Sequence, residues 1–507
     1  MINEVRGIIN SKDTSLKQKT IKGLFWTFGD LIANQGIQFS IQIILARLLL
    51  PEYFGVLGMI LVLISISYCI IDGGITQALI REQDVCQSDY STAFFFNLII
   101  SLVMYGLLFV SAPMIGAFFN EPRIIWILRI LSLTLVISSI SIIQKTQLIK
   151  EFDFKTQTKI NIIAGLFSGT AAIIFAILGF GVWSLVVKIL SLQIMQSGLT
   201  WKYRKWKPSI VFKYESFKRL FGFGWKIMFS GLISTIYSNI YFILIGRMHT
   251  AVQLGYYTNA VKLNEVVSDS IASAILRVTY PVLSSIQDNE ERLKYGFKRI
   301  IKTTNFINFP FMVGLAAIAQ PLILLIFGER WKPMVVYFQL LCFAGMLYPL
   351  NAINLNIFQV KGKSDLYLKL NIVKRVILTI LITVAVYLDF GILGLIGVCV
   401  IDSYIGFLIT SFFSGKEVSY SLIEQIKDLL FFYIISIFMG VIVYLFGIYA
   451  PIGNFFTLIF QIIIGFVVYL GICMIAKVQE IYIIWELIAP ILKRIKTKRF
   501  NDKDLNY

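Results

Sequence analysis

The chain has a single histidine, His249, and only 28 acidic residues among 507. Histidine-based acid–base or metal chemistry therefore has almost nothing to build on. The five cysteines, Cys69, Cys86, Cys342, Cys399 and Cys473, make no C-x-x-C pair. That disfavours a disulfide framework and a structural zinc site. No Walker-type phosphate loop and no G-x-G-x-x-G occurs, so no cofactor is expected. A D-x-D, Asp502-Lys503-Asp504, lies in the polar tail, where solvation accounts for it. Charge of either sign is scarce, at 15% of residues against about 25% in soluble domains. Residues 1–23 are mostly polar and offer no early apolar region of signal-peptide type.

What the chain has instead is apolar mass. Hydrophobic residues are 57% of the total, enough for roughly fourteen spans at about 20 residues each. Apolar runs bounded by charges, Gly or Pro place spans near 24–46, 54–71, 90–117, 124–143, 160–178, 182–201 and 221–246. The others fall near 254–281, 300–327, 334–359, 367–388, 392–413, 429–449 and 454–476. The runs are continuous rather than alternating, which excludes a transmembrane barrel. The expected fold is an all-α integral membrane protein of about fourteen helices.

The net charge is +18, from 46 Lys and Arg against 28 Asp and Glu. In a soluble protein this would suggest nucleic acid; here its distribution says otherwise. Fourteen spans put both termini on one side, and 34 of the 46 cations fall in the segments of that side. Only Arg47, Arg123, Arg247, Arg330 and Lys332 lie in the opposite loops. The asymmetry predicts cytoplasmic termini and no nucleic-acid partner. The tail carries Ile481, Ile484, Trp485, Ile488 and Ile491 and then five cations between Lys493 and Arg499. It reads either as an interfacial helix with a basic end or as a positive-inside stop signal.

The chain also repeats itself at an offset of 200 to 210. Ile43-Ile44-Leu45-Ala46-Arg47 answers Ile243-Leu244-Ile245-Gly246-Arg247, and Gly55 answers Gly255. Pro113, Phe119 and Glu121 answer Pro321, Phe327 and Glu329. Lys159-Ile160-Asn161-Ile162 answers Lys369-Leu370-Asn371-Ile372. Six spans per repeat give both halves one orientation and relate them by an axis along the membrane normal, an arrangement suited to alternating access. The expected segments are an N-terminus at 1–23, a six-helix lobe at 24–201, a basic linker at 202–220, a second lobe at 221–413, two extra helices within 429–476 and a basic tail at 477–507.

Three helices carry polar residues at helical spacing. Asp30, Asn34, Gln38 and Gln42 recur every four residues in the first span, as do Lys226, Ser230, Ser234 and Ser238 in the seventh. Lys262, Glu265, Asp269, Ser273 and Arg277 do nearly the same in the eighth. Such stripes hold to one face, and that face avoids lipid, because a charge at the bilayer centre costs at least about 2.5–3.5 kcal/mol. For the serines, hydrogen bonding between helices is the simpler reading. For the amides it is an even rival to ligand binding, and for Lys262, Glu265 and Asp269 a local ion-pair network is a serious one. Arg277 has no opposite charge three or four residues away, and its guanidinium fork matches phosphate oxygens. Lys226 comes second, with snorkelling to the interface as its alternative. Lys374, Arg375 and Asp402 are further candidates, with mutual pairing as their alternative. Five of the seven cations inside expected helices lie in the second half, which points to an anionic ligand held chiefly there.

The run Ile44-Leu45-Ala46-Arg47-Leu48-Leu49-Leu50-Pro51-Glu52-Tyr53-Phe54-Gly55, with Asp72-Gly73-Gly74 and Ala78-Leu79-Ile80, resembles the bacterial polysaccharide flippases. So does Arg277-Val278-Thr279-Tyr280-Pro281-Val282-Leu283-Ser284. These flippases belong to the multidrug, oligosaccharidyl-lipid and polysaccharide exporter superfamily. The resemblance implies a transporter, not an enzyme, in the bacterial inner membrane. It would move undecaprenyl-diphosphate-linked oligosaccharide to the outer leaflet for surface polysaccharide or lipopolysaccharide, beside polysaccharide-assembly proteins. Basic residues would face the diphosphate: Arg277, then Lys226 and Lys262. Asn34, Gln38 and Gln42 would meet the sugar. Asp30, Glu265, Asp269 and Asp402 are candidates for coupling to H+ or Na+. The rivals are a peptidoglycan-precursor flippase, a cation-coupled multidrug exporter and a membrane glycan polymerase.

Overall fold

Apolar periodicity without strand signals yields helices throughout. The computed structural model describes residues 33–449 and 452–481, without the side chains of 267, 269–278, 281 and 364, and every regular element among the described residues is helical. A first helix, α1, occupies 33–48. It is followed by α2 (Pro51–Asp72), α3 (Ile75–Arg81), α4 (Gln87–Phe118), α5 (Ile124–Leu131), α6 (Leu133–Ser139), α7 (Ile142–Lys150), α8 (Phe154–Ile177) and α9 (Val182–Tyr203). Then come α10 (Tyr214–Met248), α11 (Ala251–Ser285), α12 (Glu290–Ala317), α13 (Ala319–Ile326), α14 (Met334–Gly345) and α15 (Tyr348–Val360). The last four are α16 (Ser364–Tyr387), α17 (Gly391–Glu417), α18 (Leu422–Tyr449) and α19 (Asn454–Ile475).

Local sequence sets the ends. Pro51 opens α2, where its missing N–H costs nothing. Gly73 closes α2 in the left-handed region at φ 56°. Asp153 caps α8 by accepting from the Thr156 N–H, and Asn289 caps α12 by accepting from the Arg292 N–H.

Among the described residues ten helices are long and apolar enough to cross a membrane, or twelve if each of two bent pairs is one span. The chain is a multi-pass integral membrane protein. The expected first span begins outside the described residues, and the expected eighth lies on α11, where many side chains are outside them. Val110 and Met114 on α4 are 77% and 76% exposed, as a lipid-facing surface requires.

Both bent pairs have a chemical cause. The expected span at 124–143 breaks into α5, α6 and α7, with a 46° bend before α7. No Pro or Gly lies there. Instead the hydroxyls of Ser132, Thr134, Ser138, Ser139 and Ser141 each donate to the carbonyl three residues back. That back-bonding competes with the helical ladder and bends it. The 66° bend between α12 and α13 precedes Pro321, which has no N–H to offer the preceding turn. The Gln339 amide donates to the Ala316 carbonyl at 3.0 Å, satisfying an acceptor beside the break.

By internal contacts the chain divides into Met1–Thr258 and Asn259–Tyr507. In the first unit α2 lies along α10 and α4, α8 pairs with α9, and α3 packs on α7 and α10. Its core includes Leu79, Ala93, Phe94, Ile143 and Leu220. In the second unit α12 runs along α18, α14 and α15 pack on α17, and α13 meets α19. The two extra helices are therefore part of the second unit's core. Tyr469 of α19 is buried there and donates to the Phe306 carbonyl at 2.7 Å.

Candidate functional site

Asp30 lies outside the described residues. Asn34 and Gln38 of α1 are half-buried and Gln42 is 8% exposed. The first two are turned toward α8. A Cβ built on Gly165 would stand 3.1 Å from the Gln38 amide nitrogen and 3.9 Å from the Asn34 amide oxygen. One turn on, Ile41 packs directly on Gly169. Gly165 and Gly169 form a G-x-x-x-G, the small-residue groove that lets helices approach closely in lipid. That motif was readable in the sequence and explains why α1 seats its amides here.

Lys226 of α10 is exposed, and so are Ser230, Ser234 and Ser238 on the same stripe. The serines were expected to join helices; among the described residues none of them shows a hydrogen bond to another helix. An exposed polar stripe on a spanning helix prefers water to lipid. On α11 Lys262 is half-buried, and Glu265 acts electrostatically on it. Opposite charges three apart face one another on a helix. The side chains of Asp269 and Arg277 lie outside the described residues.

Lys374, Arg375 and Asp402 lie within electrostatic reach of one another. Both cations act electrostatically on Asp402. The Lys374 ammonium lies over Gly406 of α17, 3.3 Å from where a Cβ would stand, and the Asn351 amide oxygen lies 3.5 Å from the same point. Asn351 donates to the Ser403 carbonyl at 3.2 Å and accepts from the Thr410 hydroxyl at 3.0 Å. One turn away, Asn354 donates to Ser411 at 3.0 Å and accepts from Ser414 at 2.6 Å. The seam between α15 and α17 is thus polar and hydrogen-bonded, an arrangement that fixes helix register inside a bilayer.

Sequence reasoning missed two clusters. The first is a ladder in the second unit: Lys294 to Glu424 at 3.8 Å, Lys298 to Asp428 at 2.8 Å, and Lys302 to Glu480 at 3.2 Å. Tyr420, fully buried, donates to Asp428 at 2.7 Å. Both the three lysines and the pair Glu424 and Asp428 are spaced by four, a visible signal, but which helix faces which is set by the fold. The second lies in the turn between α4 and α5. Arg123 reaches Glu121 at 2.8 Å and Glu52 of α2 at 3.2 Å. The Arg123 hydrogen bonds hold the Glu121 carboxyl below its usual range and raise the guanidinium further.

The repeat has a structural signature at Gly55 and Gly255. A Cβ on Gly55 would run into the Ala251 carbonyl, and one on Gly255 would run into the Pro51 carbonyl. Positions 51 and 251, like 55 and 255, are 200 apart. The contact is therefore reciprocal, as a local two-fold between repeat segments requires.

Residues 44–336 match the family described as "Polysaccharide biosynthesis protein". That is more than half of the chain. The chain belongs to this family. Within the polysaccharide biosynthesis proteins, it is 29% identical over 299 residues to the teichuronic acid biosynthesis protein TuaB of Bacillus subtilis (strain 168), a match covering 59% of this chain and 62% of that one. The chain thus spans about three fifths of that relative's length. It is 26% identical over 390 residues to the lipopolysaccharide biosynthesis protein WzxC of Escherichia coli (strain K12), covering 76% and 78%. Among solved structures it is similar to the lipid II flippase MurJ in an inward closed conformation, with TM-score 0.70 and 19% identity, covering 92% of this chain and 100% of that one. At that identity the likeness speaks for the fold.

Proposed function

We propose that this chain is a transporter that flips a diphosphate-linked oligosaccharide lipid from the inner to the outer leaflet of the bacterial inner membrane, for export of a cell-surface polysaccharide. The observation that carries the reading is the family match over residues 44–336. The relatives' roles in teichuronic acid and lipopolysaccharide biosynthesis support it, as does the fold shared with a lipid flippase.

The chemistry of the chain's own residues fits that cargo. A diphosphate needs cations in a site of restricted water. Arg277, Lys226 and Lys262 are the proposed partners, and Lys226 sits on an exposed polar stripe. Asn34, Gln38 and Gln42 are proposed to offer amides to sugar hydroxyls at the margin of their seam with α8. Asp30, Glu265, Asp269 and Asp402 are the proposed coupling candidates, the last with Lys374 and Arg375 acting electrostatically on it. The proposed orientation has both termini in the cytoplasm, from 34 of 46 cations on one side. Fourteen spans, six in each of the lobes 24–201 and 221–413 and two beyond, complete the proposed organisation.

Deleting the gene tests the reading. Cytoplasm-facing lipid-linked oligosaccharide is expected to accumulate while surface glycan falls. Normal surface glycan without accumulation contradicts it.

A further inference from the structure

The second unit holds a cavity of about 360 Å³ where the bend between α12 and α13 meets the end of α18 and the start of α19. Its described wall is mixed and uncharged: Gln320, Asn454, Thr457 and Gln461 share it with Pro321, Tyr444 and Ile448. Gln461 is 1% exposed. Its amide nitrogen donates to the Val443 carbonyl at 2.9 Å, while its amide oxygen has no hydrogen-bond partner among the described residues. A buried acceptor left so is costly and needs an explanation. Gly447 is what admits the amide, because a Cβ there would collide with the Gln461 nitrogen. Beside it α19 begins without a side-chain cap at Gly453. Its first internal bond is the Thr457 N–H to the Gly453 carbonyl at 3.0 Å, so the N–H groups of residues 454–456 are free of helical partners.

These features select a ligand by elimination. Among the described residues the wall has no cation, so a phosphate gains no charge pairing there. It has no carboxylate among them either, so a metal ion or amine lacks a charged ligand. An acyl chain would leave the Gln461 oxygen unpaired. A hydroxyl-rich ring can accept from the α19 N–H groups, lay its C–H face on Tyr444, 45% exposed, and donate to the Gln461 oxygen once that buried amide turns toward the cavity. The volume falls in the range of small-ligand clefts, about 300–1,000 Å³. We propose that this cavity is a subsite for one neutral sugar residue of the transported glycan, which gives the two helices beyond the repeat a part in transport. The assignment rests on the flippase reading, and in the proposed orientation the α18–α19 turn lies on the outer side, where the glycan leaves.

The test uses full-length protein in nanodiscs of neutral phospholipid, with native cysteines replaced and Asn454→Cys at the cavity rim. The readout is the rate of maleimide labelling with glucose, galactose, N-acetylglucosamine or maltose, and with glycerol or sodium phosphate as comparators. At least one sugar is expected to slow labelling several-fold while glycerol and phosphate do not. Gln461→Leu is expected to abolish that protection with an unchanged thermal midpoint. Labelling indifferent to every sugar overturns the subsite, as does equal slowing by glycerol or phosphate, or protection that survives Gln461→Leu. These outcomes are separable from the deletion experiment: a chain that still exports glycan but shows no sugar protection loses the subsite alone.

Discussion

Gly55 and Gly255 lie against one another's helix so closely that neither position has room for a methyl group. Each would strike the carbonyl that stands four residues before the other glycine, Ala251 for one and Pro51 for the other. Gly55→Ala or Gly255→Ala should therefore push two backbones apart. The expected loss is at least about 1–3 kcal/mol, the usual cost of overpacking, read as a lower thermal midpoint in detergent. Gly106, on the lipid-exposed α4, has open space around it. Gly106→Ala should be neutral or stabilise by up to about 0.5–1 kcal/mol.

The turn joining α4 to α5 should be sensitive to acid. The Glu121 carboxyl is held below its ordinary value chiefly by its hydrogen bond with Arg123. A depressed carboxylate contributes stability that is full above the unfolded value, about 4.3, and is lost as pH falls through the folded value. Thermal midpoints of wild type and Glu121→Gln should differ at neutral pH, begin to approach one another below the unfolded value, and meet once the pH has fallen past the lower folded value. Curves that coincide at neutral pH would count against the pairing.

Tyr420 should matter more than its neighbours. Its hydroxyl is buried and donates to the Asp428 carboxylate, which Lys298 also engages. Tyr420→Phe removes a hydrogen bond to a charged group, with an expected cost of about 1.5–3 kcal/mol. Lys294→Ala, across a longer and exposed pair at 3.8 Å, should cost under about 1 kcal/mol. Denaturation of the two variants side by side gives the ranking.

Ile210, in the linker between α9 and α10, is 96% exposed. A cysteine placed there should react with a membrane-impermeant reagent only after the cytoplasmic face is opened. Labelling from outside intact cells would reverse the proposed orientation.

Much of the fold was legible because bilayer physics writes it in composition. Long apolar runs, the charge asymmetry and the repeat at 200 residues located nearly every long helix. The broken span between Ile124 and Lys150 was missed because hydropathy does not see serine hydroxyls turned back onto carbonyls, as at Ser138, Ser139 and Ser141. The start of α10 at Tyr214, inside the expected linker, was missed because its first turns are polar and interfacial. In the candidate site the electrostatic reach of Lys374 and Arg375 to Asp402 follows from their positions on neighbouring helices. The Lys298–Asp428 ladder did not, since spacing by four names a face and not its partner. The Gln461 cavity was invisible for the same reason: one amide, one glycine and a helix start meet there only once α18 and α19 are packed.

The most direct measurement is flipping by the purified protein in proteoliposomes loaded with a diphosphate-linked oligosaccharide lipid. Wild type is expected to expose inner-leaflet substrate to an external glycan-modifying enzyme much faster than empty vesicles do. Arg277→Glu, folded to the same extent, is expected to be at least about tenfold slower, the loss of a charge-assisted contact of about 1.4 kcal/mol or more. Wild-type vesicles no faster than empty ones would contradict the flippase itself, and an Arg277→Glu rate equal to wild type would remove that arginine from the path of the diphosphate.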